Sequence, residues 1–474
     1  MLDWVIEGGE VIDGSGAPRW RADVGVLGGL IAAVGDLAST AAHRRIDASG
    51  HIVAPGFIDS HTHDDQLLLE HPERHPKLLQ GVTTVITGNC GISLAPLLCD
   101  DAPAPLDILQ RHFTHASFAG YMRAVKAGRP AVNAAMLVGH TTLRVGAMAE
   151  LDRAARPEEV QRMQAALTEA LQAGAIGLST GVFYPPARAA TTQELIDVAR
   201  PLAGGRGIVA MHIRDEGAAI DDALREALAV GRALDAPLVL SHHKLMGLAH
   251  HGGSARTLAL IEAAARSQAV CLDCYPYTAS STMLLPERVA SSTDVQVTWS
   301  QQEPQAAGRS LRQMAAERGM DPTALAAQLM PGGAIYFAMS DEDVDRILAH
   351  PLAMIGSDGL PAPGVQHPRL WGTFPRVLGH YSRQRGVLKL EAAVHKMTGL
   401  TARRFGLAGR GQVMAGHAAD LTVFDPATVM DRATYVQPDL APSGIHSVLL
   451  NGQLAVQHGQ VLDRHAGQLL RRAH

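Results

Sequence analysis

Ile52-Val53-Ala54-Pro55-Gly56-Phe57-Ile58 runs without a charge into Asp59-Ser60-His61-Thr62-His63. A continuous apolar run that ends in a polar cluster is how a strand reads when both its faces are covered and its end opens into a site. The same phrase recurs down the chain. Thr83-Thr84-Val85-Ile86-Thr87 ends at Gly88-Asn89-Cys90-Gly91, and Ala134-Ala135-Met136-Leu137-Val138 ends at Gly139-His140. Ala175-Ile176-Gly177-Leu178 ends at Ser179-Thr180-Gly181, and Ile208-Val209-Ala210-Met211 ends at His212, Arg214 and Glu216. Leu238-Val239-Leu240 meets Ser241-His242-His243-Lys244, and Ala269-Val270-Cys271-Leu272 meets Asp273-Cys274-Tyr275-Pro276-Tyr277. Last comes Ala353-Met354-Ile355-Gly356, ending at Ser357-Asp358-Gly359.

Between most of these runs lie segments of helical period, such as residues 157–173 and 221–234. Eight strands alternating with helices predict a (β/α)8 TIM barrel, whose chemistry sits at the C-terminal strand ends. A doubly wound sheet would not place polar clusters after nearly every strand. The barrel is expected over 52–405. Residues 1–51 and 406–474 alternate apolar and polar with glycine turns, and neither half is large enough for a sheet core of its own. Together they predict one discontinuous β-sandwich. Residues 286–345 form an insertion before the eighth strand, with helical stretches at 311–318 and 323–329, and are expected to act as a lid.

Composition narrows the function classes. The chain has 474 residues, 47% hydrophobic and 18% charged, with a formal net charge of -5. No basic run suggests a nucleic-acid or anionic-membrane partner. No apolar stretch reaches the roughly 20 residues of a membrane span, and the acidic start lacks a secretory n-region. Four cysteines are too few for a disulfide scaffold. A soluble, cytoplasmic protein with a small-molecule substrate is expected; the oligomeric state is left open. The 23 histidines outnumber the 8 Phe, 7 Tyr and 4 Trp together. Some, such as His71, His75 and His474, read as solvated surface groups.

Others fall where metal chemistry needs them. Residues two apart on a strand share a face, so His61 and His63 point together into the mouth. The same parity pairs His212 with Arg214 and His242 with Lys244. Cys90 closes the second strand and Asp358 the eighth. An isolated histidine is more often a satisfied polar residue than a ligand. Histidines and acids converging from five strand ends read as a metal site.

With these residues in view, the chain resembles the amidohydrolase superfamily. Ala54-Pro55-Gly56-Phe57-Ile58-Asp59-Ser60-His61-Thr62-His63 is similar to its strand-one signature, and Gly416-His417-Ala418-Ala419-Asp420-Leu421 to its return into the sandwich. More narrowly it resembles the D-aminoacylase (N-acyl-D-amino-acid deacylase) family. The motifs that carry this are Gly88–Gly91, Ser241–Lys244, Tyr275–Tyr277, Gly333–Phe337, Ile355–Pro361 and His367–Gly372. The resemblance covers nearly the whole chain. Many binuclear superfamily members carry a bridging lysine on strand four, and here Leu178-Ser179-Thr180-Gly181 has none.

The resemblance implies one tight Zn2+ on Cys90, His212 and His242, and a second, weaker metal position at His61 and His63. Three protein ligands leave a place for water, and a thiolate suits zinc. It implies Asp358 as general base and then general acid, and Arg369 as anchor for the substrate α-carboxylate, with Lys244, Tyr275 and Ser281 nearby. The expected reaction is hydrolysis of N-acyl-D-amino acids. Hydrophobic side chains such as D-Met, D-Leu and D-Phe are expected, because Ile335–Met339 and Leu245-Met246 are apolar. The alternatives are an N-acyl-D-glutamate or N-acyl-D-aspartate deacylase, a cyclic amidase of hydantoinase or dihydroorotase type, and a metal-free interaction scaffold.

Three features read as decoys. Gly177-Leu178-Ser179-Thr180-Gly181 fits G-x-S-x-G, but Val182-Phe183-Tyr184-Pro185-Pro186 follows where a nucleophile elbow needs a helix. Cys271 and Cys274 fit C-x-x-C, yet residues three apart on a strand face opposite ways, so both are expected in the core. His140 is expected either to join the site or to hydrogen-bond behind it.

Overall fold

Strands that are apolar on both faces must be covered on both faces, and the chain achieves this by curling a parallel sheet on itself. The structure, a computed structural model, describes residues 1–109, 113–361 and 364–473; His474 lies outside them. The barrel strands are Phe57–Asp59, Val82–Thr87, Asn133–Gly139, Gly177–Gly181, Ile208–His212, Leu238–Leu240, Val270–Cys274 and Ala353–Ile355. They lie side by side in chain order, all parallel. The first and eighth meet through Ser60 N–H to Ile355 O (3.2 Å) and Asp358 N–H to His61 O (2.7 Å). Inside, Ile58, Ile86, Leu137, Ile176, Ile208 and Met354 pack against Leu400 and Phe405, which close the bottom.

The two ends of the chain build two further sheets. Leu2–Glu7, Asp23–Leu27, Leu30–Gly35 and Ala42–Asp47 make one of four strands. The other has seven: Glu10–Val11, Trp20–Arg21, Ile52–Pro55, Leu421–Phe424, Ile445–Leu450, Gln453–Gln457 and Gln460–Val461. Trp4, Ile6, Val24, Val53, Leu421 and Leu449 fill the space between them.

Ile52–Pro55 therefore corrects the sequence reading. It pairs antiparallel with Leu421–Phe424 in the terminal sheet, and only Phe57–Asp59 enters the barrel. Gly56 makes the break. A Cβ there would stand 2.2 Å from Thr83 Oγ1, so only glycine lets the chain pass the second strand that closely. The last residues also depart from the sandwich: Leu470 N–H bonds Ala134 O and Ala134 N–H bonds Gln468 O, laying the tail along the foot of the third barrel strand.

The insertion starts earlier and ends earlier than 286–345. Ala279–Met283, Asp294–Ser300 and Gly332–Phe337 form an antiparallel sheet joined by helices Pro286–Val289, Leu311–Arg318 and Pro322–Leu329. It has an apolar core of its own, including Val297, Leu311, Leu325 and Tyr336. Asp341–Ala349 belongs to the barrel: Asp343 caps the neighbouring helix by accepting from Ser254 N–H (3.0 Å). Among the described residues no helix is long and apolar enough to cross a membrane.

Candidate metal centre

The strand ends deliver their polar residues to one point. His212 ends the fifth strand, while His61, His63, Cys90, His242 and Asp358 follow the first, second, sixth and eighth by two to four residues. Three of these sit in backbone that side chains resist. Among the described residues, Cys90 (φ 54°), His242 (φ 36°) and Asp358 (φ 48°) are three of seven non-glycine residues in the left-handed region. Such strain persists only where the surroundings hold it, and it concentrates at functional sites. The turn into Cys90 is held by Ser179, whose hydroxyl donates to Gly88 O and accepts from Gly91 N–H. Ser179 is thus an architectural residue, with both roles of its hydroxyl taken.

Cys90 Sγ lies 3.3 Å from Nε2 of both His61 and His242, and His242 Nε2 lies 2.9 Å from His212 Nδ1. Asp358 Oδ1 stands 3.4 Å from His63 Nε2 and 3.7 Å from His61 Nε2. These donors fall into two overlapping groups, Cys90–His212–His242 and His61–His63–Cys90–Asp358, with Cys90 common to both. Ligands at zinc's usual bond lengths stand roughly 3.3–3.7 Å apart, and the Cys90–His242 and His242–His212 separations of 3.3 and 2.9 Å come within about half an ångström of that spacing. A thiolate with two imidazoles is a donor set zinc prefers. Burial alone would keep the Cys90 thiol protonated; His61 and His242 pull it well below the ordinary thiol range. Burial also opposes charge on His61, but Cys90 and Asp273 outweigh it and raise that imidazole well above its usual value.

Asp358 is likewise kept ionised. Burial favours its neutral acid, yet Arg369, His242, His63 and His61 hold the carboxyl well below the usual range. Arg369 opens the helix Arg369–Arg376 and is buried. Its Nη1 lies 2.9 Å from Asp358 Oδ2 without the alignment of a hydrogen bond, and its Nη2 donates to Ser281 O at 3.4 Å. The Tyr275 ring lies against two cations, 4.9 Å from the Arg369 guanidinium and 5.5 Å from Lys244 Nζ. Lys244 Nζ is 2.5 Å from Glu216 Oε1, 2.8 Å from His242 Nδ1 and 3.0 Å from His242 O.

Not every strand-end residue joins. Arg214 turns outward to a two-pronged pair with Glu226 (2.8 and 2.9 Å), because the fifth strand stops at His212. His140 stays outside the centre, 3.4 Å from Glu194, its pKa lowered by burial. Cys271 and Cys274 are buried with thiols pushed up to about 12 by desolvation, and bond Leu238 O and Met354 O separately. His75, expected at the surface, is buried, and burial pushes it down to about 3. His71 is half-buried and bonds Arg464 O at 2.9 Å.

Two acids stand behind the imidazoles without having been given a role from the sequence. Asp273 Oδ1 lies 3.3 Å from His61 Nδ1 and accepts from His242 N–H at 2.7 Å. Glu216 faces His242 and His212. Both stand in the strand-end clusters, and Glu216 shares its cluster with His212, so a carboxylate at a strand end was the available signal.

Residues 44–456 match the model of the amidohydrolase family. The chain is 55% identical to a D-aminoacylase of Alcaligenes xylosoxydans xylosoxydans over 99% of this chain and 98% of the relative. It is 50% identical to that organism's N-acyl-D-aspartate deacylase (96% and 92% covered) and N-acyl-D-glutamate deacylase (99% and 97%). A D-aminoacylase crystal structure superposes with a TM-score of 0.97 at 55% identity, each chain fully covered. An N-acyl-D-glutamate deacylase from Bordetella bronchiseptica, complexed with zinc and a phosphonate mimic of the tetrahedral intermediate, gives 0.95 at 47% identity with 99% of each chain covered.

Proposed function

The chain belongs to the amidohydrolase family, and we propose that it hydrolyses the amide bond of N-acyl-D-amino acids in a zinc-dependent reaction. The products are a D-amino acid and a carboxylate. The observation that carries this reading is the Cys90–His212–His242 cluster with ionised Asp358 and buried Arg369 at its edge.

An amide carbonyl is a poor electrophile and an amine a poor leaving group until protonated. Cys90, His212 and His242 would hold a zinc ion, with His61 and His63 as a second metal position, and zinc there would supply a Lewis acid for the carbonyl and bring the pKa of a bound water down to about 7. Asp358, ionised and facing the cluster, takes the proton of the attacking water. It then returns that proton to the departing nitrogen. Arg369 receives the α-carboxylate, since its buried Nη1 beside Asp358 has no hydrogen-bond partner among the described residues. Tyr275, Ser281 and Lys244 border the same space. Phe183, Met246 and Met339, packed against the insertion's core, supply an apolar wall for the side chain. Carbonyl, carboxylate and side chain then have three fixed places, which only one enantiomer can satisfy.

Hydrophobic D-amino acids fit that wall. A D-glutamate or D-aspartate preference rests on one feature, Arg288, a cation over the Phe183 ring at 4.5 Å. Rates with N-acetyl-D-Met, -D-Leu, -D-Phe, -D-Glu and -D-Asp, each against its L form, decide. The highest kcat/KM is expected for an apolar D side chain; a lead for D-Glu overturns the preference, and a lead for L forms overturns the function.

A further inference from the structure

Glu216 lies four residues beyond His212, almost fully buried, in the turn that leaves the fifth strand. One of its oxygens, Oε1, stands 2.5 Å from Lys244 Nζ, 3.2 Å from His242 Nδ1 and 4.0 Å from His212 Nε2. Its other oxygen faces Arg288 Nη2 of the insertion at 3.8 Å. The two imidazoles therefore turn opposite nitrogens to opposite partners. His242 Nε2 and His212 Nδ1 meet beside Cys90, while His242 Nδ1 and His212 Nε2 look back at one carboxylate. His212 Nε2 has no hydrogen-bond partner among the described residues.

A neutral imidazole offers a lone pair at one nitrogen only when the other carries the proton. Which nitrogen is protonated is set by the group it faces. Lys244, also within reach of His242 Nδ1, can only donate, and a donation there would leave the proton on Nε2, beside Cys90. A carboxylate does the reverse. We propose that Glu216 is the positioning residue of the metal centre, one carboxylate selecting the metal-ready tautomer of both His242 and His212.

The proposal rests on the metal assignment above and adds a residue to it. It carries a consequence for Lys244. With a proton on His242 Nδ1, the ammonium keeps Glu216 and the His242 carbonyl as acceptors. Its third N–H is then released toward the substrate space beside Tyr275.

Chelator competition on the purified, zinc-loaded enzyme tests this, with Glu216→Gln against wild type and Glu194→Gln. Glu194 is equally buried but serves His140 and Arg144, away from the cluster. Removing the carboxylate behind a ligating histidine costs about 10- to 100-fold in metal affinity. That loss is expected for Glu216→Gln and not for Glu194→Gln. At saturating zinc, KM for N-acetyl-D-methionine should also rise more than kcat falls, because Lys244 loses its anchor. Equal zinc affinity in Glu216→Gln and wild type overturns the proposal, and so does an equal loss in Glu194→Gln. A wild type without tight zinc would instead overturn the metal assignment. Should Glu216→Gln fail to fold, Glu216→Asp decides: it keeps the charge but withdraws it by one methylene, so a loss of about tenfold supports the proposal and unchanged affinity overturns it.

Discussion

The barrel interior has two layers that obey opposite rules. The lower is apolar, with Ile58, Ile86, Ile176, Ile208 and Met354 closed from below by Phe405. The upper, a few residues further along the same strands, holds His61, His63, Cys90, His212, His242 and Asp358, all nearly as buried. Burying apolar groups contributes stability at roughly 25 cal/mol per Å². Burying ionisable groups costs free energy unless each is paired, and three of the upper six also occupy positive φ. The upper layer is a functional arrangement that the lower one stabilises. If so, changes in the two layers should fail differently: above, chemistry lost with the fold kept; below, stability lost with the chemistry kept.

Cys90→Ala should have the largest effect. The thiolate is shared by both ligand groups, and a methyl cannot replace it. Purified Cys90→Ala should keep its thermal transition as apoprotein yet hold no stoichiometric zinc and show no turnover above background. Retained zinc with full activity would remove Cys90 from the centre. Asp358→Asn comes next. It is nearly isosteric and should bind zinc, but general acid–base catalysis is worth about 10²–10⁴-fold, and kcat should fall by that much. A near-normal kcat would mean that another group moves the proton.

Which parts of these layers could be read in the sequence follows from what is local. Apolar runs ending in polar clusters showed the barrel, because a strand covered on both faces must be apolar throughout. Parity set His61 beside His63, since the two lie close to the strand end. It failed for Arg214, where the strand had already stopped, and it could not show that Lys244 is engaged by Glu216. The thread from Ile52 to Phe57 was read as one strand because Gly56 lies within apolar sequence; its break arises from a close approach to Thr83 that only the fold creates. The start of the insertion was placed late because Ala279–Met283 gains its strand identity from a partner, Gly333–Phe337, that lies far along the chain. The Asp358–Arg369 pair and the burial of His75 are likewise products of packing. Backbone strain at Cys90, His242 and Asp358 has no local signature, since none is glycine.

Arg369→Ala should have a smaller effect than the first two, and one that depends on the substrate. A charge-assisted hydrogen bond is worth about 1.5–3 kcal/mol, which corresponds to roughly a 10- to 150-fold loss in kcat/KM. Zinc content should not change. N-acyl-D-amino amides lack the carboxylate, so wild type should process them poorly and the substitution should matter little for them. Equal losses on acids and amides would show that Arg369 acts instead by holding Asp358, its neighbour at 2.9 Å.

The smallest effect on turnover is expected from the lower layer, at Ile208→Ala. Ile208 begins the strand that His212 ends, and it is fully buried. Removing its branched side chain should leave a cavity that the closed bottom cannot fill, at a cost of about 2–5 kcal/mol in stability. Four residues at roughly 3.3 Å each put it about 13 Å from His212. Sites more than about 7–10 Å apart with no shared partner couple by less than about 0.5 kcal/mol, so kcat below the lowered Tm should stay within about twofold. Ile208 and His212 share a backbone, however, and this makes the test demanding. If the strand transmits the cavity upward, His212 Nδ1 shifts relative to Cys90 and His242, and zinc affinity falls together with stability. Denaturation and chelator titration on the same sample separate the cases. A drop in Tm with unchanged zinc affinity keeps the two layers independent; a parallel loss of both shows that the metal centre is held in place from the bottom of the barrel.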